Sequence, residues 1–433
     1  MQDPISMLTR PLWKETFAGA ISLGSVTEDH DFETAIIGAG ITGLSAALHL
    51  ARAGQSVALL EMGTIGGRAS GRNGGQIVPG LKPSPAALRR RFGDEAANKM
   101  LRLTLDGPSL LFRLIDEYHI RCAATHNGWV QAAFSADSLS VVKARYAELS
   151  AFGDDVSLLG RDEMVKATGS SFWLGGLRQN RAGAVQPFAL VHGLAKAVLK
   201  EGVTLFEHSA VEEIVPRSTG TGGVLTVNSH HISAKNIVIA TDSYTDGLWP
   251  TISQSYVTVC SAQMATGPLT EELRRQIIPE QLGISETRKI TYYCRIDPEG
   301  RFVIGGRGKT PDRVDAAVLR QLRTAAEARF PALQHVTWPY QWACRVGMTL
   351  DDLPHLENPA PGIWTSYGYC GRGMAMGTVM GAVLAKAVCG VPLEALDYPV
   401  TPAARLPFYP LRQIGASLLI NWYRLREAVG YPV

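Results

Sequence analysis

The chain has 433 residues, of which 46% are hydrophobic and 19% are charged; this composition is globular, and the length suits roughly two or three domains. Lys and Arg outnumber Asp and Glu only by 42 to 39, which argues against a dedicated nucleic-acid-binding protein. The six cysteines form no C-x-x-C pair and no zinc-like cluster, so we expect neither a metal site nor a disulfide-rich secreted scaffold. Without a signal-peptide pattern or an apolar stretch of membrane-spanning length, a cytoplasmic location is expected.

The first predicted elements are a strand, a glycine turn and a helix. The apolar run 34–37 is typical of a buried parallel strand, and the turn after it has the spacing G-x-G-x-x-G. The helix ends at Gly54, and a second buried strand, 57–60, leads to Glu61. An acidic residue 18 positions after the third glycine is typical of a dinucleotide-binding site. The turn consists of Gly38, Ala39, Gly40, Ile41, Thr42 and Gly43.

Each part of this pattern has a task in binding a dinucleotide. Gly38 allows the tight turn, Gly40 lets a pyrophosphate approach the backbone, and Gly43 lets the helix pack on the strand. The free N–H groups and the partial positive charge of the helix N-terminus favour the phosphates. We expect the Glu61 carboxylate to accept hydrogen bonds from ribose hydroxyls.

A second glycine-rich segment follows the acid and distinguishes FAD from NAD. A flavin needs such a segment, because the chain must run flat along the isoalloxazine and ribityl groups, whereas an NAD domain does not. No second G-x-G-x-x-G turn opens a helix, so an NAD(P)H site is not expected. The segment consists of Ala69, Ser70, Gly71, Arg72, Asn73, Gly74, Gly75 and Gln76.

Together, these motifs resemble the FAD-dependent amine oxidoreductases of the D-amino acid oxidase, glycine oxidase and sarcosine oxidase superfamily, and within it the gamma-glutamylputrescine oxidoreductase-like branch. The resemblance extends over about residues 30–400 and implies FAD as the cofactor. Cys344 stands where sarcosine oxidases attach the flavin covalently, but glycine oxidases have glycine there, and we expect non-covalent FAD. Other cofactor contacts implied by the resemblance are Val211 at the adenine, Ala240 and Thr241 at the end of a late strand, and Gly371, Gly373, Met374 and Ala375 at the start of a helix that faces the flavin C2=O and N1.

The fold class predicted from this chain order is α/β, with a discontinuous Rossmann-like FAD-binding domain and an α+β substrate domain that contains an antiparallel sheet. The FAD-binding domain comprises 1–87, 179–247 and 343–405, and the substrate domain comprises 88–178 and 248–342. Within the substrate domain, a helical pattern covers 100–117, and strand patterns cover 289–293 and 301–305 around a turn at 297–300.

The resemblance implies oxidation of a C–N bond, by hydride transfer to flavin N5 and hydrolysis of the imine. Tyr293 resembles the carboxylate-binding tyrosine of glycine oxidases, but Arg345 is displaced by one position from their carboxylate arginine, where Val346 stands instead. Ala375 replaces the carboxylate-binding lysine of sarcosine oxidases, so an amine without an adjacent carboxylate, such as a polyamine derivative, is expected. Further candidates for the pocket lining are His126, Asn127, Tyr367 and Tyr369.

Two features bear on the electron acceptor. Val303 falls where sarcosine oxidases have an oxygen-activating lysine, which favours a quinone or another carrier as acceptor. The tail 406–433 has an amphipathic helical pattern with arginines; it either packs on the body or on a second subunit, or lies on the inner face of a membrane. Two alternative functions stay open: a flavin-binding electron-relay subunit without its own substrate, and an amino-acid oxidase or dehydrogenase.

Overall fold

A computed structural model describes residues 10–288, 290–309, 313–402, 404–411, 415 and 422. Within these ranges, the chain forms twelve α-helices, and none of them is long and apolar enough to cross a membrane. The helices are α1 (Leu12–Glu15), α2 (Ile41–Arg52), α3 (Ala69–Arg72), α4 (Pro85–Leu105), α5 (Gly107–Glu117), α6 (Ala136–Phe152), α7 (Arg161–Thr168), α8 (Pro187–Lys200), α9 (Pro250–Ser253), α10 (Glu271–Gln276), α11 (Ala316–Arg329) and α12 (Gly373–Val388).

Eighteen strands occur in the same ranges and form two large sheets and one small one. The strands are β1 (His30–Ile37), β2 (Val57–Leu60), β3 (Gln76–Ile77), β4 (Trp129–Ala133), β5 (Val156–Leu159), β6 (Gly175–Gln179), β7 (Gly183–Ala184), β8 (Thr204–Phe206), β9 (Val211–Pro216), β10 (Gly223–Val227), β11 (His230–Ile239), β12 (Val257–Pro268), β13 (Gly283–Glu286), β14 (Tyr293–Ile296), β15 (Arg301–Arg307), β16 (Tyr340–Met348), β17 (His355–Ala360) and β18 (Ile363–Tyr367).

The first sheet contains the parallel strands that carry the dinucleotide signature. Its order is β17-β18-β11-β1-β2-β8, and the pairs from β18 to β8 are parallel. β9 and β10 extend it as an antiparallel hairpin on β11. Parallel strands place their carboxyl ends at one edge, so the glycine turn after β1 and Glu61 after β2 lie side by side.

The second sheet has the order β16-β12-β15-β14-β13-β4-β6-β5. All of its pairs are antiparallel except β13 with β4. β4, β5 and β6 come from the segment 129–179, and the other five strands come from 257–348, so β6 ends one residue past the predicted limit at 178. The chain therefore folds as the α/β architecture predicted from the sequence, with a second sheet that is antiparallel apart from one pair.

Helix α2 is held between its own sheet and α12. Nine of its twelve residues are buried, because small and apolar side chains cover nearly all of its surface. Glycines on α12 allow a close approach: a Cβ built on Gly377 would lie 2.9 Å from Oγ1 of Thr42, and one on Gly381 would lie 2.6 Å from Cβ of Ser45. These two helices therefore pack almost backbone to backbone.

Two predicted elements of the substrate region differ from the observed ones. The strand predicted at 289–293 begins only at Tyr293, whose partner on β15 is Gly305. The helical pattern 100–117 is divided between α4 and α5 at Asp106, since Pro108 cannot donate the backbone hydrogen bond that a continuous helix requires. The turn predicted at 297–300 is confirmed by a 2.9 Å hydrogen bond from the N–H of Gly300 to the carbonyl of Asp297.

The domain limits and the tail stay predictions. Strand β16 crosses position 343, where one limit was predicted, and pairs with β12 along its whole length. Of the tail, the structure describes 406–411 with residues 415 and 422, so most of the predicted amphipathic helix lies outside the described residues. Trp422 is exposed over 56% of its surface.

Candidate active site

A cavity of about 1270 Å³ lies where the two large sheets meet. One wall is formed by the carboxyl ends of β1, β2 and β11, and the other is formed by β4 and by strands from β12 to β16. Ordinary small-molecule pockets measure roughly 300–1,000 Å³, so this cavity has room for a ligand larger than a drug-sized molecule. Its size suits a dinucleotide together with a substrate.

The first glycine turn forms a cradle at the start of α2. Gly38 has a φ of 101°, a left-handed conformation that favours glycine, and its N–H donates to the carbonyl of Leu60 at 2.7 Å. A Cβ built on Gly43 would overlap the carbonyl oxygen of Gly38, and one on Gly40 would lie 2.8 Å from Oγ of Ser70. A side chain at Gly40 would fill the space at the helix N-terminus, whereas Gly43 allows the turn itself to close, so the cradle fits a pyrophosphate.

The carboxylate of Glu61 is fixed beside this cradle. One oxygen accepts a hydrogen bond from the N–H of Ala39 at 3.2 Å, and the other accepts from the N–H of Gly63 at 3.0 Å. Burial raises the pKa of Glu61 above its ordinary value, although the two N–H groups counteract this shift. Val211 lines the same part of the cavity, as expected for a group next to adenine.

The amide of Asn73 shapes the second glycine-rich segment. Its nitrogen donates to the carbonyls of Ala69 and Ser70 at 3.1 and 2.8 Å, and its oxygen accepts from the N–H of Gly75 at 2.8 Å. Gly75 has a φ of +71°, and a Cβ there would overlap the carbonyl oxygen of Val185. The segment is therefore bent back on itself and lies against the cavity with Gly74 in the wall.

Side chains that the sequence patterns did not indicate hold this segment in place. The carbonyl of Arg72 accepts hydrogen bonds from Nε2 of Gln263 at 2.7 Å and from Nε1 of Trp342 at 2.8 Å. The guanidinium of Arg295 donates to the carbonyls of Gly74 and Val185 at 2.8 and 2.7 Å. Burial lowers the pKa of Arg295 to about 10, which leaves it charged at neutral pH. One sequence signal was available, since Arg295 follows Tyr293 by two positions on a strand and so lies on the same face.

The predicted cofactor residues fall into two groups. Most line the cavity, and the others form the backbone supports behind its wall. The residues in the wall are Gly38, Ala39, Gly40, Ile41, Thr42, Glu61, Ala69, Ser70, Asn73, Gly74, Gln76, Val211, Ala240, Thr241, Gly371, Gly373 and Met374. The residues outside the lining are Gly43, Arg72, Gly75 and Ala375, of which Ala375 is fully buried against Gly107.

The three candidate pocket residues, Tyr293, Arg345 and Tyr369, all line the cavity. The hydroxyl of Tyr293 lies 2.8 Å from that of Ser261, and the hydroxyl of Tyr369 lies 2.8 Å from that of Thr42. Burial raises the pKa of both phenols well above the usual value, so both are neutral hydrogen-bonding groups at physiological pH.

Arg345 is engaged at the cavity wall by a carboxylate. Its Nη1 lies 2.9 and 3.1 Å from the two oxygens of Asp246, and its guanidinium lies over the ring of Tyr244 at 4.8 Å. The next residue, Val346, lines the cavity together with Cys344. Of the three consecutive residues Cys344, Arg345 and Val346 in the cavity wall, Arg345 alone is charged, and Asp246 balances that charge.

Three further expectations about the pocket lining were wrong. His126 stacks on Phe112 with ring centroids 3.7 Å apart, and neither His126 nor Asn127 lines the cavity. Tyr367 is turned away as well, because its hydroxyl donates to the carboxylate of Glu357.

Val303 occupies the position at which the resemblance to sarcosine oxidases implies a lysine. It lies in a buried apolar cluster with Trp13 and Trp342.

Comparisons with known proteins agree with this geometry. Residues 33–387 match the DAO family, described as FAD dependent oxidoreductase. A probable oxidoreductase OrdL from Haemophilus influenzae is 29% identical over 413 residues, covering 93% of both chains. The gamma-glutamylputrescine oxidoreductase of Escherichia coli is 27% identical over 418 residues, covering 94% of this chain and 95% of the relative.

The fold agrees with that of a solved enzyme. The crystal structure of glycine oxidase from Geobacillus kaustophilus superposes with a TM-score of 0.73 at 21% identity, over 87% of this chain and 100% of the other. The family match covers more than half of the chain, and the glycine cradle, Glu61 and the second glycine-rich segment are all present around one cavity. The chain therefore belongs to the DAO family of FAD-dependent oxidoreductases.

Proposed function

We propose that the protein oxidises the C–N bond of an amine whose reacting carbon bears no carboxylate. The observation that carries this proposal is the pairing of Arg345 with Asp246, next to an apolar Val346 in the cavity wall. An α-carboxylate would require a cation that is free to form a bidentate pair. Nη1 of Arg345 already contacts both oxygens of Asp246, so a substrate carboxylate would have to compete with that carboxylate.

The residues of the two glycine-rich segments would hold FAD. When bound, FAD supplies the two-electron acceptor for the hydride that leaves the carbon next to the amine nitrogen. As that C–H bond breaks, the nitrogen lone pair forms the C=N bond, and water then hydrolyses the imine to a carbonyl product and a free amine or ammonia. No acid–base triad is required for this sequence, because the substrate nitrogen itself supplies the electron pair.

The chain's own contribution is to bind and orient a neutral amine. Ser261 and Tyr293 offer a pair of neutral hydroxyls; Val259 and Val346 also line the cavity, and Arg307, the strand partner of Ser261, adds a positive charge to the lining. A site of this kind disfavours a charged ammonium, because desolvation lowers the pKa of an amine. The unprotonated form, whose lone pair is available, is therefore the one that these residues favour.

The names of the relatives support the two leading substrate classes. The Escherichia coli relative is named for an acylated diamine, gamma-glutamylputrescine, and a Geobacillus kaustophilus relative that is 24% identical is named glycine oxidase. The amino-acid alternative rests on Tyr293, which lines the cavity as the resemblance implies. The pairing of Arg345 favours the amine.

A matched pair of substrates tests the proposal. N-acetylputrescine and Nδ-acetylornithine differ only by a carboxylate on the carbon next to the free amine. Added anaerobically to the holoenzyme, N-acetylputrescine should bleach the visible flavin absorbance, and Nδ-acetylornithine should not. Turnover of glycine, sarcosine or a D-amino acid with kcat/KM on the order of 10⁴ M⁻¹s⁻¹ or more would contradict the proposal. If no amine or amino acid bleached the flavin, the electron-relay alternative would be favoured.

A further inference from the structure

Two arginines face the same end of the cavity from different elements. Arg145 is on α6, a helix packed on the second sheet, and Arg372 immediately precedes α12. Both side chains are half-buried and line the cavity. Arg145 lies outside the glycine-rich segments of the cofactor site, whereas Arg372 lies between Gly371 and Gly373 of the predicted flavin-facing turn.

Both guanidinium groups are anchored to carbonyls of one short segment, 79–82. Arg145 donates to the carbonyls of Lys82 and Leu81 at 2.9 and 2.5 Å, and Arg372 donates to the carbonyl of Pro79. These contacts fix where the two charges lie. They do not neutralise them, because a carbonyl oxygen is an acceptor without a net charge.

Carboxylates near the pair are engaged elsewhere or lie further along the helix. Asp352 lies 3.3 Å from the ammonium of Lys82, and Glu148 accepts from a backbone N–H at 3.2 Å. Asp137 is eight residues before Arg145 on α6, about 12 Å along the helix axis. Among the described residues, neither Arg145 nor Arg372 forms an ion pair with a carboxylate.

This arrangement is costly without a ligand. Burial lowers the pKa of Arg145 and of Arg372, and the positive charge of Arg145 lowers the pKa of Arg372 further; the charges of Glu148 and Asp352 oppose these shifts without reversing them. The Nε atom of Arg145 is buried and finds no hydrogen-bond partner within the part of the chain that the structure describes. Two half-buried guanidinium groups face the cavity without a carboxylate partner among the described residues, so they mark a place where an anion is expected.

We propose that Arg145 and Arg372 bind a carboxylate of the substrate, at the end of the molecule opposite to the amine that is oxidised. This inference rests on the proposed oxidation of an amine and extends it to a substrate class, the ω-carboxylated amines. Two guanidinium groups match the planar oxygens of a carboxylate better than a single ammonium would.

Trp129 lines the cavity next to the arginine pair. The guanidinium of Arg372 lies 5.9 Å from the ring centroid of Trp129. Nε1 of Trp129 donates to Oγ of Ser285 at 3.0 Å, and Ser285 is the strand partner of Tyr293. Trp129 and Ser285 therefore connect the arginine pair to Tyr293 through a chain of neighbouring residues. A substrate that reaches both would lay its uncharged linker along this wall.

The test compares two substrates that differ in one charge. N-succinylputrescine carries a terminal carboxylate, and its primary amide is nearly isosteric but neutral. With the wild-type holoenzyme, the apparent second-order rate constant for anaerobic flavin reduction should be at least about tenfold higher for the acid than for the amide. Arg145→Met should bring this ratio close to one, whereas Arg145→Lys, which keeps the charge, should retain part of the preference.

Arg90→Met is the matched control, because Arg90 is exposed on α4 and lies outside the cavity wall; its ratio should equal that of the wild type. Equal rates for acid and amide in wild type would overturn the inference, and the proposed function would stand because both amines reduce the flavin. An unchanged acid-to-amide ratio in Arg145→Met would overturn it in the same way. If Arg145→Met does not fold, Arg145→Lys and Arg372→Lys replace it. An acid-to-amide ratio below that of the wild type would support the inference, and an unchanged ratio would overturn it.

If neither amine reduces the flavin, the proposed function fails and the anion site is tested directly. Calorimetric titration of the holoenzyme with glutarate should then show binding that Arg145→Met weakens by about tenfold or more. Absence of binding to wild type, or equal binding to both proteins, would overturn the anion site itself.

Discussion

The backbone N–H of Ile41, the first residue of α2, donates a hydrogen bond of 3.1 Å to Oγ of Ser70. The same hydroxyl lies 2.8 Å from the position that a Cβ on Gly40 would occupy. The two glycine-rich segments therefore form one structural unit, because Gly40 of the first segment leaves space for the hydroxyl of Ser70 from the second. A ligand at the α2 N-terminus contacts both segments at once.

Replacement of Glu61 by alanine should remove FAD from the purified protein. The N–H groups of Ala39 and Gly63 fix the carboxylate at the cavity, and its loss would delete the expected hydrogen bonds from the ribose hydroxyls, which are worth about 1.5–3 kcal/mol each. The ratio of flavin to protein after desalting measures the effect. Glu394→Ala, which changes an exposed carboxylate away from the cavity, is the control and should stay fully yellow. Full retention of FAD by Glu61→Ala would contradict the assigned role.

Replacement of Gly43 by alanine should destabilise the fold. The added methyl group would overlap the carbonyl of Gly38, and overpacking of this kind costs about 1–3 kcal/mol. Chemical denaturation of the apoprotein gives the change in the free energy of unfolding. Gly24→Ala is the matched control, because a Cβ there meets nothing within 4 Å. The packing argument fails if the two variants are equally stable.

Quinones or artificial acceptors should reoxidise the reduced enzyme faster than oxygen does. The basis is Val303, which is buried among Trp13 and Trp342, at the position where the resemblance to sarcosine oxidases implies an oxygen-activating lysine. Stopped-flow mixing of the anaerobically reduced protein with air-saturated buffer, and separately with a soluble quinone, compares the two rates. A reaction with air as fast as that of an efficient oxidase would refute this prediction.

The tail 406–433 should bind anionic membranes. Its sequence combines an apolar helical stripe with arginines, and Trp422 is exposed over 56% of its surface. Co-sedimentation with vesicles that contain phosphatidylserine should recover the full-length protein and not a chain that ends at Arg405. Neutral phosphatidylcholine vesicles are the control. Equal recovery of both proteins, or of neither, would identify the tail as a packing element.

The cofactor half of the site was predictable because its signals are local. Gly38 is needed for its own φ of 101°, and Glu61 follows its strand directly, so neighbouring residues specify both positions. The strand predicted at 289–293 was misplaced because pairing determines its limits: Tyr293 begins β14 where Gly305 leaves room for its ring. A periodic hydrophobic pattern does not encode the fit between the Tyr293 ring and Gly305 on the neighbouring strand.

The supports of the flavin segment depend on contacts between residues distant in the chain. Nε1 of Trp13 donates to the carbonyl of Asn73 at 2.8 Å across 60 residues, and Arg295 reaches Gly74 across 221. The arginine pair was missed for the same reason. Arg145 lies on a helix and Arg372 in a glycine turn, and only the folded chain brings both to segment 79–82.

The close packing of α2 on α12 has a consequence for cofactor affinity. With Gly381 against Ser45, and with the Tyr369 hydroxyl 2.8 Å from that of Thr42, neither helix can slide along the other. If α12 faces the flavin as the resemblance implies, the N-termini of α2 and α12 are held at a fixed separation to bind two parts of one FAD molecule. Once a dinucleotide binds at the N-terminus of one helix, its other end is held at a high effective concentration near the N-terminus of the second helix. The intact molecule would therefore bind more tightly than either half alone. ADP or FMN alone, which satisfies a single end, forgoes that advantage.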